Sequence, residues 1–405
     1  MLVSAYKYRL YPTKEQEATL NHQLSLCAQL YNGALSWRIA HYKQTGAGLS
    51  YVTQQNALPA LKKETPEYGK VYSQVLQDVL HRVDRSYINF FEGRTRYPHF
   101  KKSVQSITYP QVCQTWVGKS SITLPKFGGI RAVIHRAVKG KAKTLTVKRY
   151  KDGKWYAIIT VETGEAAPKP LNEITNPVGI DSGLLEYIYM SDGEHVENPR
   201  FLKGDEKRIR KAQKALSRKE KRSNNGEKAR VILAKRWQDY LNIKNDWQWK
   251  LANRLVNTYD FIAYEDLSIV NMVKNHSLAK SIQDASWAGF WDKVKYRART
   301  AGVVTYAVSP RYTTQECPEC HERHRAALSE RTFVCPGCGY TAPRDRKSAI
   351  VILQRAFAEV VVGMGMPEFT PVEIGPTPFL KASPVVEAGN KLPVSRRTGS
   401  DKHVE

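Results

Sequence analysis

Residues 3–10 alternate apolar and polar side chains, the period of a strand with one buried face. Thr13-Lys14-Glu15-Gln16 then sets a Thr and a Gln three apart, the spacing of a capping box. It predicts a helix of roughly thirty residues, with Leu20, Leu24, Cys27 and Tyr31 on its apolar stripe. A second helical stretch runs from about Tyr68 to Phe91. From 105 to 162 the period returns to two: Ser121–Leu124, Thr144–Tyr150 and, after an Asp152-Gly153 turn, Trp155–Val161. Residues 1–165 therefore predict a small barrel or sheet with helices inserted at about 14–100. Ala166-Ala167-Pro168-Lys169-Pro170 reads as a linker.

Beyond it, Val178-Gly179-Ile180-Asp181 is an apolar strand that ends on an acid. Leu185–Ser191 is a second strand, followed by an Asp192-Gly193 turn and a third near Glu194–Val196. The pattern then becomes helical. Ala229, Leu233, Tyr240, Trp247, Leu251 and Leu255 recur at helical spacing. Ser223-Asn224-Asn225-Gly226 is expected to fold residues 203–257 into a helical hairpin. Phe261–Tyr264 is a strand that ends in Glu265-Asp266. A helix from about Asp284 to Thr300 buries Trp287, Trp291 and Val294, Gly302 ends it, and Val303–Val308 is another strand. A last helix runs from about Asp345 to Val361, with Ala349, Leu353, Phe357 and Val361 on one face. Residues 363–405 are rich in Pro and Gly and predict a disordered tail.

Composition narrows the class. The 405 residues suggest two or three domains, and 41% hydrophobic with 25% charged residues is ordinary for a folded soluble protein. No apolar run approaches the ~18–20 residues of a membrane helix, and Met1–Pro12 lacks the apolar core of a signal peptide. Lys and Arg outnumber Asp and Glu by 25, which points to a polyanion partner. The surplus is concentrated. From Lys203 to Arg236 there are fourteen basic residues and four acidic ones.

Four of the six cysteines, Cys317, Cys320, Cys335 and Cys338, form two C-x-x-C knuckles fourteen residues apart. Each knuckle aims two thiolates at one point, and two together make a tetrahedral cage suited to structural zinc. Pro318 and Pro336 stiffen the turns, and His321 and His324 are left as surface residues. Cys27 reads as core packing rather than a reactive thiol, and Cys113 carries no signal.

With the hairpin and the cysteine segment set aside, the order from 178 onward is β-β-β-α-β-α-β-α, that of the ribonuclease H fold. In that order Asp181 ends the first strand, Glu265 or Asp266 ends the fourth, and Asp345 opens the last helix. Three carboxylates meeting at one sheet edge could hold two magnesium ions for phosphodiester hydrolysis. No His or Cys nucleophile is needed.

The motifs Gly179-Ile180-Asp181, Tyr264-Glu265-Asp266-Leu267, Tyr312-Thr313-Thr314-Gln315 before the cysteines and Arg344-Asp345 after them resemble the TnpB family. So do Tyr8-Arg9-Leu10-Tyr11-Pro12-Thr13 and Tyr97-Pro98-His99-Phe100-Lys101; the likeness spans about 1–360. Members are transposon-encoded, RNA-guided DNA endonucleases. The resemblance implies an α+β multidomain fold: a β-barrel wedge with an inserted helical lobe (1–165), a RuvC-like nuclease domain (171–310 and 342–362) and a zinc ribbon (311–341). It implies Asp181, Glu265 and Asp345 as the catalytic, Mg2+-binding triad, favouring Glu265 over Asp266. It also implies a guide RNA made from the transposon end, a double-stranded DNA target with a short flanking motif, and a prokaryotic cytoplasmic, nucleoid-associated setting. Lys207, Arg208, Arg210, Lys211, Lys214, Arg218, Lys219 and Arg222 would then track phosphates; Trp237, Trp247 and Trp249 could stack on bases, though core packing is the expectation for most of them. Three positions depart from the family pattern: Pro343 replaces an Asp, Lys347 replaces an Asn beside the acids, and His321 stands where a Gly is frequent. The rival readings are a nuclease-inactive RNA-guided repressor and a transposase acting directly on transposon ends.

Overall fold

A computed structural model describes residues 2–164, 166–325 and 330–363. The tail expected over 363–405 lies, past Gly363, outside the described residues. The chain divides into two compact units: residues 1–169, 199–258 and 269–304 form the first; residues 170–198, 259–268 and those from 305 onward form the second. No helix among the described residues is long and apolar enough to cross a membrane.

In the first unit, β1 (Leu2–Tyr11), β2 (Ser106–Tyr109), β3 (Ser121–Leu124), β4 (Gly128–Val133), β5 (Lys141–Arg149) and β6 (Trp155–Thr163) form one antiparallel sheet. The order β2-β5-β6-β1-β4-β3 makes a half-barrel with β2 and β3 as its edges, where a barrel was expected. Tyr6, Tyr8 and Leu10 of β1 and Trp155, Ala157, Ile159 and Val161 of β6 are buried, so the period-two pattern is the core face. The opposite face carries cations on aromatic rings. The Lys7 ammonium lies 4.1 Å from the rings of both Tyr150 and Tyr156.

Four helices are inserted between β1 and β2: α1 (Lys14–Thr45), α2 (Tyr51–Asn56), α3 (Leu58–Glu64) and α4 (Ser73–Phe91). The capping box forms: Thr13 Oγ1 accepts the Gln16 N–H, and Gln16 Oε1 accepts the Thr13 N–H. Gly46, left-handed at φ 70°, ends α1. Leu20, Leu24, Cys27 and Tyr31 are buried in one core with Val75, Leu76, Val79, Leu80 and Val83 of α4. α4 starts five residues later than the expected Tyr68, because Pro66–Lys70 winds as a 3-10 turn instead. The short α2 and α3 leave no periodic signal in the sequence, since six or seven residues hold too few turns.

The same unit holds α5 (Phe201–Ser217), α6 (Asn224–Thr258), α7 (Ile269–Met272), α8 (His276–Ala285) and α9 (Trp287–Ala301). The hairpin breaks over 218–223, just ahead of the expected site. Ser223 Oγ accepts the Gly226 N–H at 2.9 Å. Gly226 must be glycine here, because a Cβ would meet Glu220 O at 2.7 Å. α9 packs on α6 and buries Trp287, Trp291 and Val294, and Gly302 ends it at φ 74°. Asp284 ties three helices together. It accepts the Leu202 N–H at the start of α5 at 3.1 Å and the Tyr240 hydroxyl of α6 at 2.8 Å.

The second unit is built on β7 (Pro177–Asp181), β8 (Glu186–Met190), β9 (His195–Glu197), β10 (Phe261–Glu265) and β11 (Val304–Val308). They form a mixed sheet in the order β11-β10-β7-β8-β9. β8 pairs antiparallel with β7 and β9, whereas β10 runs parallel to β7 with Tyr264 opposite Ile180. β12 (Thr332–Val334) and β13 (Thr341–Pro343) pair within the cysteine segment, and α10 (Arg344–Gly363) follows directly. α10 lies across β7, β10 and β8. Its approach depends on Gly179, where a Cβ would meet Ala349 O at 2.0 Å and Leu353 Cβ at 2.8 Å. Only a bare backbone lets the helix sit this close to the strand.

Candidate active site and metal centre

Asp181 is the last residue of β7 and Glu265 the last of β10. These strands are parallel neighbours in register, so the two carboxylates leave the sheet at the same edge. Asp345 lies in the first turn of α10, the helix that crosses β7 at Gly179. Asp181 registers the other two acids. Burial pushes the Asp181 carboxyl well above the usual range, and the charges of Glu265 and Asp345 push it further, against Arg344 and Lys347. Asp266, the alternative at the end of β10, is exposed.

The donor set suits a hard divalent cation. It offers only oxygen ligands, its negative charges crowd one another, and the buried Ser182 Oγ beside Asp181 has no hydrogen-bond partner. The carboxylates are more widely spread than ligands closing on a single ion: their oxygens do not all fall within 4.8 Å of one another.

Glu265 is 7% exposed, and burial raises its pKa. Thr313, together with Arg355 and Lys347, opposes that rise. Thr313 Oγ1 donates to Glu265 Oε1 at 2.6 Å, and Lys347 Nζ donates to the Thr313 carbonyl at 2.8 Å. Lys347 is fully buried, with its ammonium 4.6 Å from the Phe333 ring, and burial lowers its pKa to about 8 although Asp181 favours its charge. The departure at 347 therefore supports the loop before the cysteines. Thr313 was visible in the sequence only as a letter of Tyr312-Thr313-Thr314-Gln315, and nothing there paired it with an acid 48 residues earlier.

The four cysteine sulfurs all lie within 4.8 Å of one another. Cys317 and Cys338 are 3.6 Å apart, and Cys320 and Cys335 are 3.5 Å apart. A tetrahedron with Zn–S of about 2.3 Å requires ~3.8 Å between sulfurs. The two knuckles match. Backbone N–H groups of Glu319 and Cys320 point at the Cys317 sulfur, and those of Gly337 and Cys338 at Cys335. His321 N–H donates to Cys317 O and Gly339 N–H to Cys335 O, both at 3.0 Å. His321 is exposed; His324 lies with Cys320 and Glu322 in a smaller group.

Lys207, Arg208, Arg210, Lys211, Lys214, Arg218, Lys219 and Arg222 are all exposed on α5 and the turn after it, while Ile209 and Ala212 are buried. Trp247 packs edge-on to Phe201 and Trp237 edge-on to Tyr240; Trp249 is 36% exposed. Cys27 is buried and its thiol is pushed up to about 12 by that burial, which makes it inert.

Residues 158–276 match the family model OrfB_IS605, described as "Probable transposase". Residues 287–352 match "Cas12f1-like, TNB domain", and 1–47 match "Helix-turn-helix domain", although here that segment is one strand and one 32-residue helix. A Streptomyces pristinaespiralis protein named "Putative RNA-guided DNA endonuclease" is 32% identical, covering 89% of this chain and 91% of the relative. The chain belongs to the TnpB family. An Escherichia coli K12 TnpB relative, "Putative RNA-guided DNA endonuclease InsQ", is 30% identical over 94% of this chain and 99% of its own length. Cas12f1, solved in complex with sgRNA and target DNA, shares the fold at a TM-score of 0.55 and 11% identity, with 87% of this TnpB chain and 98% of the Cas12f1 chain covered.

Proposed function

We propose that this TnpB-family chain is an RNA-guided DNA endonuclease that cuts at the edge formed by Asp181, Glu265 and Asp345. One observation carries the site: acids from three separate segments meet there, and two of them raise the pKa of the third. The sheet order supports a ribonuclease H-like, RuvC-like reading, with β7, β8 and β9 as the antiparallel arm and β10 parallel beside β7.

Asp181, Glu265 and Asp345 would hold the catalytic ions. A pair of Mg2+ ions, when bound, activates the attacking water and stabilises the leaving oxygen of a phosphodiester. Thr313 keeps one oxygen of Glu265 committed and leaves the other for a ligand. Cys317, Cys320, Cys335 and Cys338 hold a structural zinc. The exposed cations of α5 track phosphates, so that contact is tolerant of sequence, and base pairing to the guide selects the target. The partners are a guide RNA from the transposon end and double-stranded DNA with a short flanking motif, in the cytoplasm at the nucleoid.

Asp181→Ala tests the site. Guided cleavage should vanish while RNA and target binding persist; cleavage that persists refutes the assignment. Ribonuclease treatment of the purified complex separates this reading from a transposase acting on transposon ends, which would need no RNA.

A further inference from the structure

We propose that Thr313 is a positioning residue for Glu265, and that the buried ammonium of Lys347 holds Thr313 in place. The inference rests on the nuclease reading above and extends it to two residues outside the acid triad.

Thr313 is 1% exposed, and its hydroxyl stands 2.6 Å from Glu265 Oε1, closer than its other acceptor, Pro310 O at 3.2 Å. One hydroxyl proton serves one strong bond, and the nearer acceptor, Glu265 Oε1, takes it. Glu265 is thus held in one orientation before any ligand arrives. Thr313 sits on a loop with no regular structure of its own, and α10 grips that loop twice. Lys347 binds the Thr313 carbonyl. Two turns along, Arg355 donates to Arg311 O at 2.7 Å and to Ser309 O at 3.3 Å, and pairs with Glu316. The helix that carries Asp345 therefore also fixes the loop that orients Glu265. Burying an ammonium is costly unless it is well bonded, and this one makes its bond to a backbone carbonyl rather than to a neighbouring carboxylate. Its hydrogen bond serves the loop, while its charge also acts on Asp181 and Glu265.

The test measures Mn2+ binding to the protein–RNA complex by electron paramagnetic resonance, beside target DNA affinity and thermal melting. Thr313→Val keeps the shape and removes the donor. Its Mn2+ Kd should rise about tenfold or more, the range for lost outer-shell partners, with DNA affinity within about twofold. Thr313→Ser should restore Mn2+ binding. Lys347→Met separates support from charge: removing a cation beside three acids would by itself tighten Mn2+, whereas loss of the loop's anchor weakens it. Weaker Mn2+ binding in Thr313→Val and Lys347→Met, with rescue by Ser, supports the proposal. Unchanged Mn2+ affinity in Thr313→Val, an equal loss in Thr313→Ser, or tighter binding in Lys347→Met overturns it. If Thr313→Val does not melt cooperatively, Lys347→Met decides. Cleavage surviving Asp181→Ala would overturn the nuclease site itself, whatever the Thr313 series gives.

Discussion

Gly179→Ala places one methyl group between β7 and α10. That Cβ would lie 2.0 Å from Ala349 O and 2.8 Å from Leu353 Cβ, where real Cβ atoms essentially never come within 3.0 Å of another heavy atom. Both obstacles belong to the helix body, so no side chain can swing aside. α10 must retreat by about 1 Å, and Asp345, one turn before Ala349, retreats with it. Overpacking of this kind costs ~1–3 kcal/mol, or more where backbone is the obstacle. For a unit of this size that is a fall of roughly 2–4 °C in Tm per kcal/mol. A shift of about 1 Å in a catalytic group costs on the order of 100-fold in rate. The assay pairs thermal melting with single-turnover cleavage of guided target at saturating Mg2+. Gly204→Ala on α5 is the control, because its Cβ meets nothing within 4 Å. There the same change should stabilise by about 0.5–1 kcal/mol and leave cleavage alone. A Gly179→Ala protein with wild-type Tm and cleavage rate would refute the packing argument.

Burial and the neighbouring acids raise the Asp181 pKa, so the folded state holds its proton to higher pH than the unfolded chain does. That contribution to stability is present at low pH and lost as pH rises through the folded value. Asp181→Asn in chelator should therefore melt above wild type at pH 7.5, with the gap closing toward pH 4; a pH-independent gap contradicts the raised pKa. His321→Gly should stabilise the cysteine segment by about 1 kcal/mol in zinc-loaded melts, since His321 sits at φ 59° where the matching knuckle has Gly339 at φ 78°. A loss of stability would mean that the His321–Glu316 contact outweighs the strain. Replacing Lys211, Lys214 and Arg218 together by Ala should lower the salt slope of RNA binding by about 2. An unchanged slope would remove α5 from the phosphate path.

The elements that carry long periodic runs were legible in the chain: α1 with its capping box, β6, the hairpin arms, α9 and α10. Short pieces such as α2, α3, α7 and α8 were not, because their packing comes from neighbours distant in sequence rather than from their own period. The four cysteines announce their chemistry by spacing alone, since two knuckles close a tetrahedron through local turns. The three acids were readable only as candidates, each an ordinary strand end or helix start.

Tertiary structure decided the rest. The parallel register of β7 and β10 puts Glu265 beside Asp181, and the buried face of β10 takes Glu265 inward while Asp266 stays in solvent. Gly179, in the sequence only a small residue between Val178 and Ile180, makes room for α10. Lys347 stood out in the sequence only as a replacement beside the acids, and its ammonium bonds a carbonyl of the Thr313 loop. Local pattern determines what a segment becomes, because turns, caps and periods act over a few residues. Which carboxylate faces which depends on contacts between residues far apart in the chain, and those exist only once sheet and helix have closed on each other.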